Sequence, residues 1–426
     1  MAKLKYDKSG RLLFTKEMKK EYKIIAPMML PIHFKLISGA FALHGYDVEL
    51  LSTSGESIVN EGLKYVHNDS CYPALLTVGQ LIDAVKSGKY DTNKIALLMT
   101  QTGGGCRASN YIHLLRKAVK NAGFAHVPVV SLNFAGLEKN PGFKLGIPLI
   151  IKIIYSVLYG DLLMALFNRC HAYEINKGDT QAMLDSWEER LYNEYKSIKN
   201  LRPGKISTNF AKICDDFASI PLNITPKVRV GIVGEIYVKY APLGNNDLEK
   251  FLHDEDCEVI LGGLLDFISY TLHSQSSDIE LYGGSTIRKI MVDFLLKYID
   301  KKKMAMSAKI KKYPQLAPIA PCSFFHLRSL VNGYLSPGNK MGEGWLLTAE
   351  MLELIESGAD NIVCTQPFGC LPNHIVGKGM IRPIKEQNPN ANIVAIDYDP
   401  GATKVNQENR IKLMLANARD KIGEKT

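Results

Sequence analysis

The stretch KVRVGIVGE, from Lys227 to Glu235, reads as a strand that ends in a glycine and a carboxylate. Its apolar residues run almost without a break, which is typical of a strand covered on both faces of a parallel sheet. Helical periodicity follows from Asn246 to Asp254, and a second apolar run lies at Glu258 to Leu261. This alternation of strand and helix predicts an α/β fold with a parallel sheet.

The same alternation occurs earlier in the chain, with a helical segment between the two occurrences. Strands are predicted at Tyr22–Ala26, Asp47–Leu51, Ile95–Thr100 and Val127–Leu132, and again at Asn361–Cys364 and Asn392–Asp397. From Gly146 to Phe217 the periodicity is helical without strand candidates. We therefore predict two Rossmann-like parallel-sheet lobes with a helical segment between them, at residues 1–145, 146–225 and 226–426.

The apolar run from Leu145 to Phe167 is the stretch that most resembles a membrane span. Lys152 and Asp161 interrupt it, and Pro148 and Gly160 break it into shorter pieces, so a buried helix or a helix pair is predicted. No membrane partner is therefore predicted.

The bulk composition fits a soluble globular protein. Apolar residues make up 46% of the 426 residues and charged residues 22%, which leaves little room for long disorder. The formal charge of +9 comes without a basic run interleaved with aromatics, so no nucleic-acid partner is expected. The first twenty residues are polar and show no signal peptide, and eight cysteines then indicate a reducing, cytoplasmic setting.

Four cysteines lie near the predicted ends of strands. Cys71 stands in the turn HNDSCYPALL, Cys106 follows the glycines of TQTGGGCRASNY, and Cys364 and Cys370 flank the segment TQPFG. Ligands of open α/β sheets bind at the carboxyl ends of the strands. Iron–sulfur clusters need thiolates, and glycine-rich loops let the backbone approach a bulky group closely. These four thiols are therefore predicted to bind an iron–sulfur cluster of the 4Fe-4S type.

Other interpretations of the same segments stay open. Gly103–Gly105 is also compatible with a phosphate-binding loop, although the lysine and hydroxyl residue of a P-loop are missing. A structural zinc site is a further alternative, although the chain has no CxxC pair. Glu235 and Glu343 either line the same cleft or serve as a turn residue and a helix cap. Cys322 is a reserve ligand, and the remaining cysteines are interpreted as buried apolar fillers: Cys170, Cys214 and Cys257.

Several longer stretches resemble the 2-hydroxyacyl-CoA dehydratase superfamily, in particular its activase-associated branch. The stretches are CYPALL (Cys71–Leu76), GEIYVKYAP (Gly234–Pro242), GEGWLLTAEM (Gly342–Met351), QPFGCLPNHIVGKGM (Gln366–Met380) and IDYDPGATKVNQENRIKLML (Ile396–Leu415). The resemblance covers most of the chain from about Lys23 onward. It is specific in the last third and looser between about Gly136 and Pro226.

The resemblance implies an oxygen-sensitive iron–sulfur protein that receives low-potential electrons from an ATP-dependent activase, itself an Fe–S ATPase. Cys71, Cys106 and Cys370 fall on positions that resemble ligand cysteines, and Cys364 is the less secure fourth. No part of this sequence resembles the activase, so the ATPase is expected on another polypeptide. A homodimer is a further expectation. A double-cubane cluster would recruit Cys322 as well.

The predicted function is the reduction of a small molecule by such electrons. One alternative is a component of a 2-hydroxyacyl-CoA dehydratase, in which the cluster acts on a thioester carbonyl. Another is a module that binds a cluster or zinc without turnover.

Overall fold

Two parallel sheets form the framework of the protein, which is described here from a computed structural model covering residues 3–67, 69–102, 104–133 and 137–423. Each sheet has four strands, and three long helices lie between the two sheets in sequence. The predicted α/β class with two Rossmann-like lobes is therefore confirmed. A two-stranded antiparallel hairpin, β1 (Lys5–Tyr6) and β2 (Leu12–Leu13), precedes the first lobe.

The first lobe alternates strands and helices from residue 18 to residue 132. Its elements are α1 (Met18–Glu21), β3 (Lys23–Pro27), α2 (Pro31–Ala42), β4 (Asp47–Leu51), α3 (Glu56–Tyr65), α4 (Tyr72–Lys86), β5 (Ile95–Thr100), a 3-10 turn (Arg107–Asn110), α5 (Tyr111–Asn121) and β6 (Val129–Leu132). The helical segment follows, with α6 (Ile147–Tyr173), α7 (Asp179–Tyr195), a 3-10 turn (Ile198–Leu201) and α8 (Pro203–Ala218).

The second lobe begins at residue 229 and ends with the last described helix. Its first half contains β7 (Arg229–Gly234), α9 (Ile236–Tyr240), α10 (Pro242–Asn245), α11 (Leu248–Asp254), β8 (Glu258–Leu261), α12 (Leu264–Tyr282) and α13 (Thr286–Ile310). Its second half contains a 3-10 turn (Ala317–Ile319), α14 (Phe324–Leu330), α15 (Trp345–Glu356), β9 (Asn361–Pro367), a π-helical turn (Asn373–Gly377), a 3-10 turn (Lys378–Met380), α16 (Ile381–Gln387), β10 (Asn392–Tyr398) and α17 (Lys404–Gly423).

The two sheets share one topology. Their strand orders are β4-β3-β5-β6 and β10-β9-β7-β8, and every neighbouring pair is parallel. In each sheet the first strand lies between the second and the third, so the strand order reverses beside it. Such a reversal opens a crevice at the carboxyl ends of the strands, where α/β proteins bind their ligands.

Helix α6 is one continuous buried helix, which is one of the two predicted alternatives, and the breaks expected at Pro148 and Gly160 are absent. Pro148 lies in the first turn of the helix, where its missing N–H costs no hydrogen bond. Gly160 lies within the helix, and glycine is needed there because any side chain would collide with the ring of His33. Among the described helices, α6 alone is long and apolar enough to cross a membrane. However, 72% of its most apolar window is buried inside the protein, as in a core helix.

Asp161 of α6 connects the two lobes through hydrogen bonds. Its carboxylate accepts from the backbone N–H groups of Leu264 and Leu265 at 2.8 and 3.0 Å, in the first turn of α12. The other partner is His33 of α2, at 2.8 Å. Because a carboxylate at a helix N-terminus satisfies otherwise unpaired N–H groups, this buried residue fixes the second lobe on the helical segment.

Three further predictions of secondary structure differ from the structure. Strand β9 extends to Pro367, three residues beyond the predicted end at Cys364. The single helix predicted from His374 to Asn388 is divided into a π-helical turn, a 3-10 turn and the short helix α16. Helix α12 was not predicted at all.

Candidate functional site

Three of the four predicted ligand cysteines lie at the carboxyl ends of the two sheets. Cys71 is the residue that precedes α4, Cys106 follows β5 and precedes the 3-10 turn, and Cys370 stands three residues after the end of β9. Cys71 and Cys370 are buried, with 5% and 7% exposure, and Cys106 is partly exposed. The first lobe therefore supplies two thiols and the second lobe one.

The backbones of the two lobes meet at these cysteines. The N–H of Tyr72 donates to the carbonyl of Phe368 at 3.0 Å. Gly369 has a φ of +75°, and a Cβ there would lie 3.2 Å from the Cα of Cys71. A side chain at position 369 would be strained by this positive φ and would crowd the backbone of Cys71, so glycine permits the close approach.

The three thiols are electrostatic neighbours. Burial, with smaller contributions from Glu343 and Cys71, raises the pKa of the Cys106 thiol to about 11. Burial also raises the pKa of Cys370 far above its usual range, and Glu343, Glu235 and Cys106 add to that rise. Without a bound cation the thiols are therefore protonated at neutral pH, and ligation of a metal would release their protons.

Tyr111, the first residue of α5, contacts the thiol of Cys71. Its hydroxyl lies 2.7 Å from the Cys71 Sγ. Burial raises the pKa of Cys71, whereas the hydrogen bond from Tyr111 lowers it by stabilising the thiolate. A phenol in this position orients the thiol and withdraws charge from its sulfur.

Two carboxyl groups of the second lobe complete the site. Glu235 precedes α9 and accepts from the N–H of Val238 at 2.9 Å, and Glu343 accepts from the N–H of Ile236 at 3.0 Å. Burial and the charge of Glu343 raise the pKa of Glu235 to about 8, and burial raises the pKa of Glu343. The pair therefore holds a proton at neutral pH. Glu235 caps the N-terminus of α9, whereas Glu343 accepts from an N–H of α9 and does not cap α15, the helix that it precedes.

Tyr237, two residues after Glu235, has a hydroxyl group that forms no hydrogen bond with the described part of the chain. The side chain is 6% exposed, and its hydroxyl has no hydrogen-bond partner among the described residues. Burial, followed by the charges of Glu235 and Tyr72, raises its pKa above the usual range. An unpaired buried hydroxyl costs free energy, so it is typical of a place where a ligand supplies the missing partner.

Buried charges continue from Glu343 into the second lobe. Lys239 and Glu350 form an ion pair at 2.8 Å, with side-chain exposures of 3% and 8%. Glu350 also lines a cavity of about 90 Å³, together with Asp266 and Lys303, which pair at 2.6 Å. Behind the site, the Lys239–Glu350 pair thus borders a cavity that is lined mostly by apolar residues and has room for a few water molecules beside its charged groups.

Cys364 lies apart from the other three thiols, in the hydrophobic core. It is the fourth of the seven residues of β9, is fully buried, and belongs to the same apolar cluster as Leu347 and Met351 of α15. Its thiol accepts from Gln366 at 3.7 Å. The prediction placed Cys364 at the end of a strand, and that position is wrong because β9 continues through three further residues.

The other cysteines occupy separate places. Cys170, Cys214 and Cys257 are buried in the main core, as predicted. Cys322 is partly buried, and burial followed by the charge of Glu353 raises its pKa. Because Glu353 lines the same cavity as Glu350, Cys322 lies on the cavity side of the lobe. The predicted phosphate loop falls partly on Gly103, which lies outside the described residues.

The donor set was tested against the predicted cluster. Within residues 3–67, 69–102, 104–133 and 137–423, no three or more His, Cys, Asp or Glu side chains are grouped to hold one metal ion. Thiolates that bind a four-iron cluster each contact a different iron, so they surround the cluster rather than converge on one point. Two buried thiols and a partly exposed one, with a phenol beside Cys71, match these requirements in chemical type.

Several of these site residues carry no signal that sequence reasoning could have recognised. Tyr111 has the sequence pattern of an ordinary helical aromatic residue, and the partners Lys239 and Glu350 are 111 positions apart.

A scan with family models and a search of the curated proteins returned no match to the chain. The resemblance to the dehydratase superfamily therefore stays a prediction.

Proposed function

We propose that Cys71, Cys106 and Cys370 bind an iron–sulfur cluster between the two lobes, and that the protein uses it to reduce a small molecule. The observation that carries the proposal is that three thiols from three separate loops stand at the carboxyl ends of both sheets, where the backbones of the two lobes are in contact and the thiols influence one another electrostatically. The thiols lie beside a carboxyl pair that holds a proton. Cys364 is left out of the ligand set because it lies in the core.

A cluster of this kind supplies single low-potential electrons, and three thiolates on four irons leave one iron open to another ligand. The resemblance to the activase-associated branch supports an ATP-dependent activase as the electron donor. It also supports a cytoplasmic location, since such systems are oxygen-sensitive.

The residues of the chain would contribute protons and exclude water. Reduction of most small molecules consumes protons as well as electrons, and the Glu235–Glu343 pair holds one at neutral pH. The Lys239–Glu350 pair stands between this proton donor and a cavity with room for a few water molecules, and its charges influence Glu343. Burial of the thiols keeps bulk water away from the site and strengthens each electrostatic contact there.

The test is anaerobic purification followed by analysis of iron, acid-labile sulfide and zinc. We expect iron and sulfide in equal amounts, about four of each per chain, and a paramagnetic signal after reduction by the activase with ATP. Stoichiometric zinc without sulfide would contradict the cluster and favour a structural zinc site. Tight binding of a 2-hydroxyacyl-CoA ester by a cluster-loaded protein would favour the dehydratase alternative over a small-molecule reductase.

A further inference from the structure

The first half of α13 and the end of α12 form a helical hairpin that does not contribute to the core. Residues 277–295 are fully described, and none of them is buried. On α13 the buried residues begin only at Leu296 and continue with Ile299 at helical spacing. The hairpin therefore projects from the second lobe, and its two helices pack mainly on each other.

The exposed face of this hairpin is apolar. Its six most exposed large apolar residues, called here the hairpin surface, expose 60–77% of their area. They are Leu281, Tyr282, Ile287, Ile290, Met291 and Phe294. The last four follow one another at intervals of three, one and three residues, so they form one stripe along α13.

The area of the hairpin surface is that of a protein–protein interface. Six large side chains exposed to this extent present on the order of 800 Å², about what each partner buries in a standard interface. Monomeric proteins rarely expose contiguous apolar patches of more than a few hundred Å². A partner that covers the stripe would remove this apolar area from water.

The charges beside the stripe fit a second copy of the chain. Between residues 277 and 298 three acidic residues stand against three basic residues: Asp278, Glu280 and Asp293 against Arg288, Lys289 and Lys297. The hairpin thus has no net charge, although the whole chain carries +9. An anionic membrane or an acidic protein would select a basic surface instead.

We propose that the hairpin surface binds the same surface of a second copy, so that two hairpins form a four-helix bundle and the protein is a homodimer. A two-fold axis pairs a patch with itself, and a neutral apolar stripe is self-complementary in this arrangement. Four amphipathic helices can enclose a shared apolar core that two helices cannot. The inference stands independently of the cluster proposed above.

The proposed interface lies beside the loop that carries Glu343. Lys340 of that loop pairs with Asp278 of α12, and its ammonium lies 5.3 Å from the ring centre of Tyr282. A second copy that covers Tyr282 would therefore also cover this ion pair. Dimerisation would therefore hold in place the loop that carries Glu343, which borders the site of Cys71, Cys106 and Cys370.

The test is sedimentation equilibrium of the full chain and two variants, from about 1 to 50 µM, because the mass of a reversible dimer depends on concentration. Phe294→Asp places a charge at the C-terminal end of the stripe. Leu413→Asp is the matched control, because Leu413 is 69% exposed on α17, outside the hairpin. We expect about twice the chain mass of 47.4 kDa for the native protein and the control. Phe294→Asp should sediment as a monomer, with dimer affinity reduced at least about 100-fold.

Unchanged circular dichroism and melting temperature will show that Phe294→Asp is folded, and Met291→Lys replaces it if it is not. A native protein that stays monomeric at the highest concentration would overturn the proposal. So would a dimer that both stripe variants leave intact. Pelleting of a monomeric native protein with phosphatidylcholine–phosphatidylglycerol vesicles, abolished in the stripe variant, would instead assign the stripe to a membrane surface.

Discussion

The two lobes have the same strand order but place different chemistry at the ends of their strands. The first lobe presents the thiols of Cys71 and Cys106, with the phenol of Tyr111 beside one of them. The second lobe presents a single thiol and the carboxyl pair Glu235 and Glu343. It also contains two buried lysine–carboxylate pairs behind them.

This difference shows how one topology supports two contributions to a site. The sheet fixes where the loops meet, and the loop residues decide what chemistry they carry. A buried charge is costly unless it is paired, so the stability of the second lobe depends on its ion pairs. Buried thiols are neutral when protonated and need no such partner. Changes at charged residues should therefore destabilise the second lobe, whereas changes at the thiols should alter ligand binding.

The largest effect on stability is expected from Lys303→Met. This change leaves the carboxylate of Asp266 buried without its partner, which costs about 3–5 kcal/mol of unfolding free energy. Urea unfolding of the apoprotein measures the loss. The double change Lys303→Met with Asp266→Leu should recover most of the stability, because no unpaired charge remains. A loss below about 1 kcal/mol for the single variant would show that the pair is not desolvated as described.

A smaller, pH-dependent effect is expected from Glu235→Gln. The folded-state pKa of Glu235 is about 8, above its usual 4.5, so the folded protein holds a proton that the unfolded chain releases. The unfolding free energy of the apoprotein should therefore fall as the pH rises from about 4.5 to about 8. For one full proton the slope is at most about 1.4 kcal/mol per pH unit.

Glu235→Gln should flatten this part of the stability profile. Glu386→Gln is the matched control, since its carboxylate is exposed and, within the part of the chain that the structure describes, pairs with Arg382 on the same helix alone. Thermal melts of the three proteins between pH 4.5 and 9 measure the difference. Parallel profiles for all three would contradict the protonated carboxyl pair.

The smallest effect is expected from Tyr111→Phe. Loss of the hydroxyl removes the hydrogen bond that lowers the pKa of Cys71, so less thiolate forms at a given pH. We expect several-fold slower alkylation of Cys71 in the apoprotein and a loss of about 1 kcal/mol in stability. Peptide mass spectrometry follows the alkylation, with Cys322 of the same sample as internal reference. Faster alkylation of Cys71 would mean that the hydroxyl shields the thiol rather than orienting it.

The sheets could be predicted from the sequence, because buried parallel strands appear as short apolar runs. The end of β9 could not, since its last residues are polar or proline. Thr365 and Gln366 are buried there because they bond to the carbonyl of Val233 and to the side chain of Asn373. Helix α12 contains the polar run Ser274–Ser277, which resembles a loop. Its first turn is held by Asp161, far away in sequence.

The candidate site could be predicted where it depends on position after a strand. This reasoning located Cys106 and Cys370, and it misplaced Cys364 because the strand boundary was three residues too early; Cys71 stands instead in the turn between α3 and α4. The ion pairs could not be predicted, since they join residues more than thirty positions apart in sequence. Such pairing is decided by packing of helices around the sheet rather than by local sequence pattern.

The central claim is that three thiols, and not four, bind the cluster. Iron and sulfide analysis of four anaerobically purified single variants tests it most directly: Cys71→Ala, Cys106→Ala, Cys370→Ala and Cys364→Ala. The first three should lose most of their iron and sulfide while keeping native circular dichroism, and Cys364→Ala should keep the native amounts. Loss of the cluster in Cys364→Ala together with an unchanged iron content in Cys106→Ala would contradict the account.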